Sequence, residues 1–521
     1  MRESDNGVRH GAVRAGTGST LSRDIVAFTR RNSRSYNRAR TSFGEVFADI
    51  YTSVLAFGCL AAIAVSFVLA MRDEVAGQDP TQGGLLPGNS FQLPSSVLWA
   101  LLTYAALTGI LTVSRRLGPI AVTGAQGTWW LPLPLDRTPM VRPTFLRRMI
   151  WVGVGSVLGY FAFSLVTALN LSATGHALAA GTFGAASVGV LGIAAMLQLS
   201  VRNPRSLRAL SALVLVPLAL LPGFAPDPWA FALALLAAVG MVVVVFRRAG
   251  QVRGSELIRG GAVSGHAGAS VFFLDTNELM RSLAGEPRPM AANRAAALYA
   301  MPARSPHLGL VKADVAAFLR LQPPLTVPAL WLVACLALML ADVGLSVPVQ
   351  LAFVVIAGCV VASGMGTVAR RTALLPELDA MLPLSPAQVR ASRMLMPAVA
   401  LGLWMTVLSG AVVLLGRGGL PLILVGALAG VGMGAGTVRG ASRPAADWTV
   451  PPVDTPFGPV PRTQLSALLR GLDVTIAAML PLLLALYIGQ ATTLILLMQA
   501  VVTGVVILVV LYSRPTAAGQ R

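Results

Sequence analysis

The chain has 521 residues, of which 55% are hydrophobic and only 12% charged, with a mean hydropathy of +0.72. Soluble domains carry about 25% charged residues, so a string of soluble domains is excluded and a multi-pass membrane protein is expected. The net charge of +19 comes from arginines, with Lys312 the single lysine. No aromatic-interleaved basic patch or zinc pattern accompanies them, so nucleic acid is not the expected partner. Anionic headgroups of the bilayer are.

Residues 1–46 form a polar, arginine-rich cytoplasmic arm, expected to be disordered over its first twenty positions. A short interfacial helix is expected at Asp24–Arg30, with an echo at Asp314–Arg320. The arm lacks a short apolar stretch with a cleavage site, so no cleaved signal peptide is expected.

Twelve runs free of Asp, Glu, Lys, Arg and His then read as spans. Those of a first membrane half (47–246) are 50–71, 92–113, 149–171, 177–199, 209–224 and 229–246. Those of a second half (325–513) are 325–341, 343–368, 394–416, 418–438, 474–490 and 491–513. The runs 209–224, 474–490 and 491–513 also suit re-entrant segments. With the N-terminus inside, only Arg72 and Arg417 of the 40 basic residues fall in outer loops. That asymmetry sets an even span count and the orientation. The expected fold is all-α: a polytopic integral membrane protein of about twelve transmembrane helices, built as two six-helix pseudo-repeats with both termini cytoplasmic.

The cytoplasmic linker 247–324 opens glycine-rich around Gly260, Gly261, Gly265 and Gly268 and is expected to be flexible there. Asp275 is a candidate N-cap with Glu278 capping back. Leu308, Val311, Val315, Phe318 and Leu319 share one helical face. The proline-rich stretch 440–463 reads as an extended loop, and 514–521 as a cytoplasmic tail. Glycines gather in the fourth span (Gly181, Gly184, Gly189, Gly192) and the tenth (Gly430, Gly432, Gly434, Gly436), where small residues let backbones approach closely in lipid.

Little chemistry is legible. Cys59, Cys335 and Cys359 lie in apolar runs and read as small packing residues. His10, His176, His266 and His307 are scattered and read as solvated loop residues. There is no phosphate loop, no His-Glu-x-x-His and no nucleophile elbow. No catalytic residue, cofactor or metal is expected. No ionisable residue falls inside the charge-free runs, against an ion-coupled mechanism.

The most informative motif is Leu133-Pro134-Leu135-Asp136-Arg137, repeated as Leu382-Pro383-Leu384-Ser385 at an offset of 249 (382 minus 133). Each copy follows a double arginine, Arg115-Arg116 or Arg370-Arg371, and each leads into further arginines, Arg142 or Arg390 and Arg393. Asp136 and Ser385 are suited to N-cap a helix after the LP step, although Pro386 could shorten or tilt the second one. Amphipathic loops anchored by Trp129 and Trp130 are the plainer alternative.

This layout resembles the type-2 ABC exporter permeases, in which the segment between the second and third spans is a coupling helix that docks into the ATPase. The resemblance implies an exporter subunit in the plasma (inner) membrane, served by a separately encoded ATPase at which ATP binds. Its coupling loops would be 114–148 and 369–393, and its two halves are fused where most members are dimers. An ATPase-independent secondary or facilitative transporter and a non-transporting membrane scaffold are the alternatives. A membrane enzyme ranks last.

Overall fold

The computed structural model describes residues 7–513, except 41, 78–84, 86–93, 169–170, 200–214, 217, 219, 221–226, 273–275, 284–299, 301, 322–325, 341–345, 443–452, 456–457 and 461–469. The chain divides into two compact units: residues 1–76 with 99–266, and residues 77–98 with 267–521.

The first unit contains α1 (Gly7–Arg40), α2 (Phe43–Ala76), most of α3 (Ser95–Leu117), α4 (Gly124–Trp129), α5 (Thr138–Thr167), α6 (Ala173–Leu199), α7 (Pro228–Arg248) and the start of α8 (Gly254–Phe272). Its centre is α6, which packs against both α5 and α7. Ala179, Ala180, Gly184, Ala186, Val190 and Ala194 are buried along it. Small side chains bring the helix axes close, which drives association where lipid tails are as apolar as leucine. By contrast α2 leaves Phe57, Leu60, Ile63 and Phe67 exposed, as a helix facing lipid does.

The second unit contains α9 (Thr276–Leu283), α10 (Pro306–Leu321), α11 (Thr326–Met339), α12 (Val347–Met365), α13 (Thr367–Thr372), α14 (Pro376–Ala380), α15 (Pro386–Leu414), α16 (Pro421–Ala441), α17 (Leu472–Ile488) and α18 (Thr493–Tyr512). Glycine-rich α16 is its centre and packs on α15, α17 and α18. Leu401, Met405, Leu408, Val425, Met433, Met479 and Leu482 form the core. Polar groups lock the bundle: Gln499 donates to the Ala478 carbonyl at 2.9 Å and Thr503 to that of Leu428 at 3.0 Å. Trp404 donates to the Pro328 carbonyl at 2.9 Å and so ties α11 to α15. Leu85, brought in from the stretch after α2, is held in this unit by the Gln350 side chain, which accepts its N–H at 2.8 Å.

Among the described residues, nine helices are long and apolar enough to cross a membrane, and two shorter apolar ones cover Val327–Met339 and Leu472–Ile488. Eleven of the twelve expected spans thus fall on helices; the run 209–224 lies largely outside the described residues. Two span starts need correction. The third and ninth were expected at 149 and 394, but α5 begins at Thr138 and α15 at Pro386. A charge-free criterion cut these helices at their arginines, whose aliphatic stems let charged heads reach the interface from inside a helix.

Other expectations also change. Gly7–Arg40 is one helix that no proline interrupts, where disorder and then a short helix were expected. The linker glycines lie inside α8, and Gly260 and Gly261 let it approach the backbone of Leu117–Val122. Of the face expected on α10, Phe318 is buried and Val311 and Val315 are half-buried, but Leu308 and Leu319 are exposed, and the helix also buries Asp314 and Ala316. Asp275 lies outside the described residues, and α9 starts at Thr276. Within the expected loop 440–463, Val453–Thr455 pairs antiparallel with Gly458–Val460.

Candidate partner-docking face

The two LP loops take the same local form. The Leu135 N–H donates to the Leu133 carbonyl at 2.8 Å, and the Leu384 N–H donates to that of Leu382 at 2.8 Å. Each is a three-residue γ-turn centred on proline, whose fixed φ removes much of the ordering cost. In both copies a long helix starts at once after the turn, so no short helix follows the LP step as expected. The short helices, α4 and α14, lie before it.

In the first unit the approach to the loop is clamped from three sides. Gly118, at φ 68°, turns the chain after α3 in a conformation that side chains rarely adopt. The Gln198 amide then brackets Ile120, donating to its carbonyl at 2.8 Å and accepting its N–H at 3.2 Å. Arg148 donates to the Leu117 carbonyl at 3.2 Å. Helix α4 carries a capping box between Thr123 and Gln126 and ends on Trp129, which is 73% exposed. Leu133 and Pro134 are exposed at the tip. Asp136 is not the N-cap of α5. That position belongs to Arg137, and the Asp136 carboxylate accepts from the Thr138 N–H at 3.0 Å and its hydroxyl at 2.7 Å.

In the second unit Ser385 does cap α15. Its hydroxyl accepts the Gln388 N–H at 3.3 Å, and the Gln388 side chain accepts the Ser385 N–H at 2.9 Å. Pro386 sits in the first turn, where its missing N–H costs nothing, so it starts the helix rather than disturbing it. Leu374, Leu375, Leu378 and Met381 are exposed around α14, beside the exposed Glu377.

One arginine in each loop reaches the end of the last helix of its own half. Arg142 donates to the Phe246 carbonyl at 3.1 Å near the end of α7, and Arg390 donates to the Ser513 carbonyl beyond the end of α18. A cation at a helix C-terminus satisfies orphan carbonyls and complements the dipole.

The second loop has an additional anchor that motif reading missed. Arg393, with a side chain 8% exposed, donates to Asp379 on α14 at 2.6 Å and to the Thr372 hydroxyl, and lies 3.7 Å from Asp314 on α10. Ser392 donates to the other Asp314 oxygen at 2.5 Å. Burial raises the Asp314 pKa above the ordinary carboxylate value, and repulsion from Asp379 adds to this. The Ser392 hydrogen bond and the Arg393 charge act in the opposite direction but do not outweigh it. The available sequence signal was acidic residues in arginine-rich segments, which are expected to find a cation on burial.

The span glycines lie at helix contacts. A Cβ at Gly432 would meet that of Ala478 at 2.8 Å, and one at Gly434 would meet Ala398 Cα at 2.5 Å. Gly430 faces the Leu401 backbone, Gly436 faces Thr475, Gly181 faces Phe231, Gly184 faces Val157 and Gly192 faces Met241. Gly189 has its nearest neighbour, Ala238 Cα, at an ordinary 3.9 Å. Cys335 is buried while Cys59 and Cys359 are half-buried, all three as free thiols. His176 is not solvated: it is 2% exposed, with Nδ1 2.9 Å from the Ser164 hydroxyl. No group of metal-binding side chains occurs among the described residues.

Helices of membrane-spanning length and basic, capped loops define a helical membrane protein. The chain belongs to a family of unknown function, DUF6297, which it matches over residues 93–451, a stretch containing both LP loops. No curated protein and no solved structure matches it.

Proposed function

We propose that the chain is the membrane-spanning subunit of an ABC-type exporter, coupled to a separate ATPase through its two LP loops. In this reading it spans the plasma membrane twelve times as two six-helix pseudo-repeats, with both termini and both loops in the cytoplasm. Anionic headgroups hold the arginine-rich face.

The observation that carries the reading is the shared build of the loops. Each has a proline-centred turn at an exposed tip, a long helix starting directly behind it, and an arginine bonded to the end of the last helix of the same half. A push on the tip passes without slack into two helices at once. In the second loop Arg393 extends that linkage to α10 and α14.

Affinity purification of the tagged protein from its native membrane, with mass spectrometry of bound proteins, tests this. A stoichiometric partner carrying a phosphate loop is expected. It should be lost when Leu133–Arg137 and Leu382–Pro386 are replaced by Gly/Ser. Intact protein recovered without an ATPase, under conditions that preserve a known ABC complex, would sink the proposal.

A further inference from the structure

The two LP loops share a backbone turn but present different chemistry. In the second loop Leu374, Leu375, Leu378 and Met381 are exposed, Met381 to 80%. Leu375, Leu378 and Met381 follow at three-residue steps, which sets them along one side of α14. Glu377 stands exposed beside them, its carboxylate unpaired among the described residues. Aligned on the LP prolines, Pro383 and Pro134 (383 minus 134 is 249), the first loop has Ala125, Gln126, Trp129 and Pro132 at the four apolar positions and Thr128 in place of Glu377. Gln126 is engaged in the capping box of α4, which leaves Trp129 as the large apolar group of that helix.

The exposed charges also differ in sign. Over 114–148 they are Arg142, Arg147 and Asp136, the last already accepting two bonds from Thr138. Over 369–393 the fully exposed charge is Glu377, because Arg370 and Arg393 are buried and Arg371, Asp379 and Arg390 are half-buried.

A cluster of exposed aliphatic side chains marks a surface that another molecule covers, and the bond from Arg393 to Asp379 holds α14 in place for it. Lipid is a poor cover, because Glu377 would face anionic headgroups. A protein groove that is apolar and carries a cation at its rim fits both the side chains and the charge. Offered to the first loop, that cation would face Arg142 and Arg147, and like charges across an interface exclude a partner.

We propose that the two loops dock on two unlike ATPase subunits. The second loop takes the subunit whose groove is apolar with a basic rim, and the first takes one whose groove accepts a tryptophan beside an acidic rim. This inference rests on the coupling reading and adds the composition of the partner to it.

The test uses the full-length tagged protein purified from its native membrane without nucleotide, with quantitative mass spectrometry of bound phosphate-loop proteins. Two distinct sequences are expected, each at one copy per chain. E377K should deplete one of them by about tenfold, as opposed like charges do, and W129S should deplete the other by about the same factor, as loss of an aromatic anchor does. Each variant should leave the second subunit within about twofold, as for independent sites. If E377K does not accumulate, L378S carries the comparison. Depletion of the same subunit by both variants, or of neither subunit, would overturn the inference. One ATPase sequence at two copies per chain would overturn it and leave the coupling reading standing, whereas intact protein without any ATPase would sink both.

Discussion

Arg393 holds the Asp379 carboxylate at 2.6 Å and thereby fastens α14 to the first turns of α15. The same guanidinium donates to the Thr372 hydroxyl on α13 and faces Asp314 on α10, so one buried cation on α15 joins four helices. Removing it strands a buried carboxylate, for which costs run to about 3–5 kcal/mol. R393M should therefore lower the unfolding midpoint of the purified protein sharply. D379N should cost far less, since the Asp379 side chain is 30% exposed and a partly solvated pair contributes about 0–1 kcal/mol. R393K should not rescue, because a single ammonium cannot fork between partners on different helices. Equal effects of R393M and D379N would show that the Asp314 side of the network contributes nothing.

Burial of Asp314 gives a pH dependence of definite sign. Its folded-state pKa is raised, so between the unfolded and folded values the native state binds more proton than the unfolded chain. Stability from this group is therefore greatest at low pH and falls as pH rises through the folded pKa. Paired carboxylates with lowered values behave oppositely, so the comparison must be made against D314N. The midpoint of the wild type minus that of D314N should decline from pH 4 towards neutrality and then level off. A flat difference would place Asp314 at an ordinary pKa.

The glycines of α6 and α16 separate into two behaviours. At Gly434 an added methyl meets the Ala398 backbone at 2.5 Å, and backbone cannot swing aside. G434A should destabilise by about 1–3 kcal/mol, as overpacking does. At Gly189 the nearest atom is 3.9 Å away, so G189A should be neutral or gain about 0.5–1 kcal/mol from helix propensity. Thermal unfolding of the two variants side by side checks this. Parity between them would mean that α16 packs no more tightly than α6 at these positions.

Helix existence was legible where apolar runs exceed bilayer thickness, as in Val347–Met365 and Thr493–Tyr512. The starts of α5 and α15 were not, because arginines such as Arg142 and Arg393 were taken as loop markers while their backbones are already helical. The glycines 260 and 261 looked like flexibility from composition alone. Their use is steric, and only the neighbouring Leu117–Val122 backbone reveals it. The LP turns were legible because proline fixes local geometry. The Arg393 network was hidden because its partners come from three separate elements, and no local spacing encodes that meeting.

The two loops also differ in how their long helices begin, which separates the roles of Asp136 and Ser385. Ser385 takes part in a reciprocal capping box with Gln388, so S385A should cost about 1 kcal/mol and leave two N–H groups less well satisfied. D136A removes an exposed carboxylate that accepts from Thr138 ahead of a helix whose N-cap, Arg137, makes no side-chain capping bond. Its cost should be smaller, about 0.5 kcal/mol, the low end for a single hydrogen bond, because the carboxylate is solvent-exposed. Backbone hydrogen exchange over the first turns of α5 and α15 reads this directly. S385A should speed exchange at Gln388, and D136A should do so at Thr138 alone. Unchanged protection at Gln388 in S385A would show that Arg393, bonded to Asp379 one turn further on, already holds the start of α15 without its cap.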